Sequence, residues 1–239
     1  MKYSYKMIFP VAVLMMLVLS CTACTEQSES SAKDRDEHHV LCLGNSITRH
    51  TPYDAVNWYS DHGMAASKPE NDYCHVLQSL MRKDNENTTV TPCAIPNWER
   101  DFSLNLDVLV GPYIKGKDIV VIRLGENVPA EKEPLFDEAL STLIEYCKQY
   151  TDRIVITGQY WPSARKEKAV KQNAEKYGLP YVRLDWIWTE HQEDCCPKEG
   201  DIIYDTQGKP YPIVGEFIIT HPNDKGMEYI ANAIYDKIL

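Results

Sequence analysis

The chain has 239 residues, 44% of them hydrophobic, 25% charged and 10% aromatic, with a formal charge of −10. This composition excludes a disordered chain, a collagen-like repeat and a coiled coil, and the length suits a single domain behind a short leader. The first twenty residues hold Lys2 and Lys6 and no acid, so the remainder stands at about −12, a surface that argues against nucleic acid as a partner.

Residues 1–20 read as a signal peptide. Lys2 and Lys6 make a positive start, and Ile8 to Leu19 form an apolar stretch, interrupted by Pro10, that is too short for a membrane span. It ends in Val18-Leu19-Ser20-Cys21, which resembles a bacterial lipobox, with Cys24 as a poorer second cleavage point. Diacylation of Cys21 would hold the protein on a membrane by its acyl chains, as an exported lipoprotein. Residues 21–37 are rich in Ser, Thr, Glu, Asp and Lys and read as a flexible tether. Eight cysteines are too few for a disulfide scaffold, and setting Cys21 aside leaves an odd number. Cys42, Cys93 and Cys147 lie in apolar runs and read as core thiols, whereas the adjacent Cys195 and Cys196 suit neither a zinc site nor an easy disulfide.

Residues 38–239 form the expected domain. His39 to Leu43 is a short apolar run ending at Gly44, followed by a helical pattern at Tyr73, Val76, Leu77, Leu80 and Met81 with Asn71 or Asp72 as its cap. Strands are predicted at Thr88 to Ile95, Ile119 to Leu124, Arg153 to Thr157 and Pro180 to Leu184. Between them lie helical stripes at 134–149 and about 163–177, the second stopping at Gly178. Met227, Ile230, Ala231, Ile234 and Ile238 share one face of a final helix. Continuous apolar strands alternating with amphipathic helices predict an α/β fold with a parallel sheet covered on both faces. Glu190 to Gly215 fits neither period and reads as a loop or hairpin insertion.

Ligands of such sheets sit at the carboxyl ends of the strands. Three segments fall there or just before the last helix: Gly44-Asn45-Ser46, Gly125-Glu126-Asn127 and His221-Pro222-Asn223. These blocks, in this order, resemble the SGNH hydrolases, the GDSL-type esterases and lipases. The resemblance implies a three-layer α/β/α sandwich with a five-stranded parallel sheet. It also implies Ser46 as nucleophile, His221 as base and Asn127 as an oxyanion donor. The chemistry of the side chains agrees, because a serine hydroxyl needs a base to become a nucleophile and the oxyanion needs fixed donors.

Two departures stand out. The family's glycine after the second strand has no counterpart in Pro92 to Asn97, leaving the backbone N–H of Ala94 as the candidate second donor and Gly63 as a competing placement. The triad acid normally lies three residues before the histidine, where this chain has Ile218. The imidazole then needs another acceptor: Glu216 or a main-chain carbonyl, with Asp185 and Asp205 rated lower. Asn45, Trp58, Tyr160 and Trp161 are candidate pocket residues, each equally compatible with core packing. Arg123 reads as half of an internal ion pair with Glu126. The histidines show no metal-binding spacing and no glycine-rich phosphate loop is present, so neither metal nor cofactor is expected.

The resemblance implies hydrolysis of short acyl esters, acetyl first, on a carbohydrate, through a Ser-His dyad or variant triad. The expected partners are a small ester or acetylated glycan and, through the lipid anchor alone, a membrane. The alternatives are a non-catalytic glycan-binding lipoprotein on the same fold, or a lipase or thioesterase.

Overall fold

The computed structural model describes residues 38–238 and Met1. The signal peptide, the tether and Cys21 lie outside the described residues.

The chain alternates between strand and helix. Strand β1 (His39–Gly44) leads through a long loop to helix α1 (Tyr73–Met81), then to β2 (Thr89–Ala94). Three short helices follow: α2 (Pro96–Arg100), α3 (Leu106–Leu109) and α4 (Gly111–Ile114). The regular part resumes with β3 (Ile119–Ile122), α5 (Glu133–Lys148), β4 (Ile154–Thr157), α6 (Ala164–Tyr177) and β5 (Tyr181–Val182). After α7 (Asp185–Cys195) comes a hairpin, β6 (Ile202–Tyr204) and β7 (Pro210–Pro212), then α8 (Glu216–Ile219) and α9 (Asp224–Ile238). The five long-range strands pair in parallel in the order β2-β1-β3-β4-β5, the predicted sheet.

Period-two alternation sorts the strand side chains between two cores. Leu41, Leu43, Val120, Ile122, Ile154 and Ile156 face α5 and α6, meeting Phe136, Leu140, Leu143 and Val170. Val40, Cys42, Ile119, Val121 and Val155 face α1, α7 and α9, meeting Leu77, Ile187, Met227 and Ile230. Helices on both faces make the three-layer sandwich. A third, smaller core beyond the sheet gathers Trp58, Met64, Ile203, Ile213 and Ile218 beneath the hairpin and α8.

The elements start and stop for local reasons. Asp72 caps α1 by accepting from the His75 N–H at 2.9 Å, and α6 ends at Gly178. Helix α7 occupies part of the stretch that shows no helical period. It is kinked at His191 (φ −133°), and a kink shifts the face that later residues present, which breaks the periodicity.

The parallel order puts the ends of β1 and β3 side by side. A Cβ on Gly44 would lie 1.8 Å from the Thr48 hydroxyl, so the turn after β1 requires glycine. Beyond β3, Gly125 has φ +130° and the Gln159 amide packs within 2.7 Å of where its Cβ would be. These two tight turns deliver Ser46 and Asn127 to the same edge of the sheet.

Candidate active site

Ser46 follows the turn at the end of β1, and its Oγ lies 3.0 Å from His221 Nε2. His221 comes from the start of the segment that enters α9 and is 2% exposed. Its Nδ1 lies 2.9 Å from the Phe217 carbonyl, and its backbone N–H donates to the Ile218 carbonyl at 2.9 Å. A carbonyl oxygen only accepts, so Nδ1 carries the proton and Nε2 presents its lone pair to the serine hydroxyl. Burial pushes the His221 pKa down from 6.5 to about 3, with the bond to Phe217 working in the other direction. The base is therefore neutral over the whole physiological range.

The orienting group is a main-chain carbonyl and not a carboxylate. Ile218, in the position of the usual acid, is fully buried in the third core. Glu216 opens α8 with its side chain exposed, and the acceptor at Nδ1 is one residue further on. Asp185 is engaged with Arg183 at 2.5 Å, and Asp205 accepts the Gln207 and Lys209 N–H groups in the hairpin turn.

Asn127 is held by two opposite kinds of partner. Its Nδ2 donates to Glu99 Oε2 at 2.6 Å, and its Oδ1 accepts from Arg100 at 3.1 Å. A carboxylate cannot donate to an amide oxygen and a guanidinium cannot accept from an amide nitrogen, so the amide has one orientation. One Nδ2 hydrogen remains available for a ligand. Both anchoring residues lie on α2, the short helix behind β2.

Glu99 is fully buried and serves more than Asn127. Its Oε1 accepts from the Gly125 N–H at 2.5 Å, the Asn45 amide at 3.2 Å and the Asn127 N–H at 3.4 Å. Burial and the neighbouring Glu126 charge push its pKa up, while the bonds from Asn127, Gly125 and Asn45 hold it down. Glu126 in turn pairs with Arg123 at 2.7 Å, both side chains buried, which is the internal ion pair read from the sequence. Glu126 also accepts from the Asn45 side chain at 2.7 Å and the Tyr160 N–H at 3.1 Å, and Arg123 donates to the Asn45 side-chain oxygen Oδ1. Asn45 is thus a buried clamp between β1 and β3, adjacent to the nucleophile, and not a pocket residue.

The remaining candidates divide. Trp161 reaches the site: its ring stands edge-on to His221 at 5.1 Å, and its indole N–H donates to Thr220 at 3.1 Å. Trp58 and Tyr160 are fully buried and line no surface. Trp58 packs in the third core, where its N–H binds the His50 carbonyl at 2.8 Å, and the Tyr160 hydroxyl meets Cys196 Sγ at 3.4 Å. Large aromatic side chains bury the most area, and here core packing takes two of the three. Phe217, unrecognised in the sequence, is half exposed with its ring 5.2 Å from that of His221.

Ala94 does not supply a donor toward β1. Gly44 pairs with it in register, and the Ile95 N–H binds the Gly44 carbonyl at 2.8 Å. In a parallel ladder the residue between two bonded neighbours turns its N–H the other way, here off the free edge of the sheet. The Gly63 N–H is engaged by Asp72 at 3.3 Å. Pro96 has no N–H, so the first free backbone donor beyond β2 belongs to Asn97, at the N-terminus of α2. Alongside this segment a cleft of about 460 Å³ runs between residues 92–97 and Arg49, His50 and Tyr113. Among the described residues no group of three or more His, Cys, Asp or Glu side chains could hold a metal ion.

No protein-family model and no curated protein matches the sequence. Solved structures do match. An acetyl xylan esterase is similar at TM-score 0.55 and 14% identity, over 84% of this chain and 100% of that one. A psychrotrophic esterase from Pseudoalteromonas sp. is similar at 0.52 and 16%, over 84% and 96%. A two-domain esterase active on acetylated mannans is similar at 0.54 and 18%, over 84% of this chain and 49% of that one. At these identities the likeness is one of fold. The chain has the fold of the SGNH/GDSL hydrolases, a fold these esterases share.

The site geometry generates a direct expectation. In nitrogen-15 spectra of the imidazole, His221 should remain neutral with Nδ1 protonated from about pH 8 down to about pH 4. Glu216→Gln should leave that titration where it is. A midpoint near 6.5 would contradict the burial of the imidazole, and a protonated Nε2 or a titration moved by Glu216→Gln would contradict the carbonyl-held tautomer.

Proposed function

We propose that this protein is a serine esterase that removes short acyl groups, acetyl foremost, from a carbohydrate. The observation that carries the reading is the Ser46 hydroxyl at 3.0 Å from the lone pair of a buried, neutral His221. The esterase fold supports it, and two structural neighbours, an acetyl xylan esterase and an esterase active on acetylated mannans, support the carbohydrate.

The steps follow from the donors and acceptors in place. His221 Nε2 takes the Ser46 proton as Oγ attacks the ester carbonyl carbon. The oxyanion is held by the free Nδ2 hydrogen of Asn127 and by the Ser46 backbone N–H, which has no hydrogen-bond partner among the described residues. The Asn97 N–H is the candidate third donor, in place of Ala94. As the tetrahedral intermediate collapses, the C–O bond to the alcohol breaks and the imidazolium returns its proton to that oxygen. Water, deprotonated by His221, then hydrolyses the acyl-serine and releases the acid. The Phe217 carbonyl fixes the tautomer but brings no full negative charge to the imidazolium, so this dyad stabilises the charged intermediate less than a triad would.

The half-exposed Phe217 and the partly exposed Trp161 flank His221 and offer aromatic faces to a sugar or acyl group. We further propose that the enzyme is exported and held on a membrane through diacylated Cys21, on the strength of the lipobox-like leader.

Hydrolysis of p-nitrophenyl acetate should exceed that of longer p-nitrophenyl esters and disappear in Ser46→Ala. A preference for long chains would move the substrate to lipids or thioesters. Absence of Ser46-dependent turnover on every ester would leave a glycan-binding protein. Glu99→Gln places an amide N–H against either the Asn127 side-chain donor or the Gly125 and Asn45 donors, and should lower kcat by about 100-fold or more, with little change in KM. An unaltered kcat would remove Asn127 from the oxyanion site.

A further inference from the structure

A second cleft, whose lining includes neither Ser46 nor His221, lies between the 61–70 loop and the β6–β7 hairpin. Its volume is about 600 Å³, within the range of about 300–1,000 Å³ typical of ligand sites. Asp61, His62, Lys68, Glu70, Tyr204 and Asp205 line it.

Its charges largely cancel. Asp61 is bound by Arg49 through two contacts of 2.8 Å. Asp205 is engaged by two backbone N–H groups of the hairpin turn, both at 2.8 Å. Asp205 keeps its charge, so Glu70 and Asp205 stand against Lys68 and leave one net negative charge, with the Lys68 ammonium 4.7 Å from the centre of the Tyr204 ring. Such a lining attracts neither a polyanion nor a multivalent cation. It offers carboxylate acceptors, an ammonium donor and an aromatic ring, the set that a ring of hydroxyls on an apolar C–H face can use together.

His62 adds an unmet acceptor. It is 3% exposed, its Nδ1 lies 3.1 Å from the Gly63 carbonyl, and its Nε2, itself buried, has no hydrogen-bond partner among the described residues. With Nδ1 donating to a carbonyl, Nε2 can only accept, and burial keeps the ring neutral.

The cleft is coupled to the nucleophile by the backbone. The His50 N–H binds the His62 carbonyl at 2.9 Å, and the Met64 N–H binds the Ser46 carbonyl at 2.8 Å. The loop that forms one wall of the cleft is therefore zipped to the loop that carries Ser46.

We propose that this cleft binds a neutral oligosaccharide, a distal stretch of the same glycan whose acyl group is presented to Ser46. The inference rests on the carbohydrate esterase reading for its substrate class. It makes the enzyme one that grips a chain and not only the acylated residue.

The test is binding of unacetylated xylohexaose and mannohexaose to the full chain, followed by amide chemical shifts and isothermal titration. The expected result is that one of them shifts the resonances of residues 61–70 and 202–208, with Kd of about 1 mM or tighter. Tyr204→Ala should weaken that binding at least fivefold, and Glu70→Ala, an exposed position that leaves the fold undisturbed, at least twofold. Shifts confined to the surroundings of His221 and Trp161, or no shifts with either sugar, would overturn the proposal. Because binding needs no turnover, the outcome is separate from that of the esterase assay. A protein that binds at the cleft but hydrolyses no ester keeps this site and loses the catalytic reading.

Discussion

The buried carboxylate of Glu99 is the interaction on which the site depends. It gathers four N–H groups from two other parts of the chain: the turn after β1, through Asn45, and the turn after β3, through Gly125 and Asn127. A carboxylate without partners in such a place would carry a desolvation penalty of several kcal/mol. Four donors and the nearby Arg123 offset that penalty only in one arrangement of the three segments. The same requirement that keeps Glu99 tolerable therefore fixes where Asn127 points and how the residue before Ser46 sits.

The Arg123–Glu126 pair extends this logic across the sheet. Both side chains are buried, and both bind Asn45 from opposite ends of its amide. Removing one partner of such a pair typically costs about 3–5 kcal/mol, because the other charge is stranded. Polar networks of this kind specify one geometry at the expense of the added stability an apolar core would give. Catalysis by preorganised donors needs that trade, since a donor that must rotate into place loses much of its advantage.

Much of the fold was legible in the sequence, because continuous apolar strands and amphipathic helices each follow one period. The Ser46, Asn127 and His221 blocks stood out through their resemblance to the SGNH hydrolases, and the structure brings the Ser46 and His221 side chains within 3.0 Å. What escaped had no local signal. The tautomer of His221 is set by a backbone carbonyl, which every residue possesses, so no side chain announces Phe217. Glu99 lies between Trp98 and Arg100, and its partners are more than twenty residues away on the Gly125 side and more than fifty on the Asn45 side. Trp58 and Tyr160 carry the same composition signal as Trp161, and only tertiary packing separates two core aromatics from one at the site. The kink at His191 hid α7 by breaking its period.

We propose an activated Ser46 nucleophile whose base is held by a carbonyl. Its most direct test is covalent labelling by a fluorophosphonate, which needs an activated serine but no knowledge of the natural substrate. A single adduct is expected, located by peptide mass spectrometry on Ser46, formed at full rate in Glu216→Gln and lost in His221→Ala. Failure of Ser46 to label in the wild-type protein, or labelling that persists without His221, would contradict it.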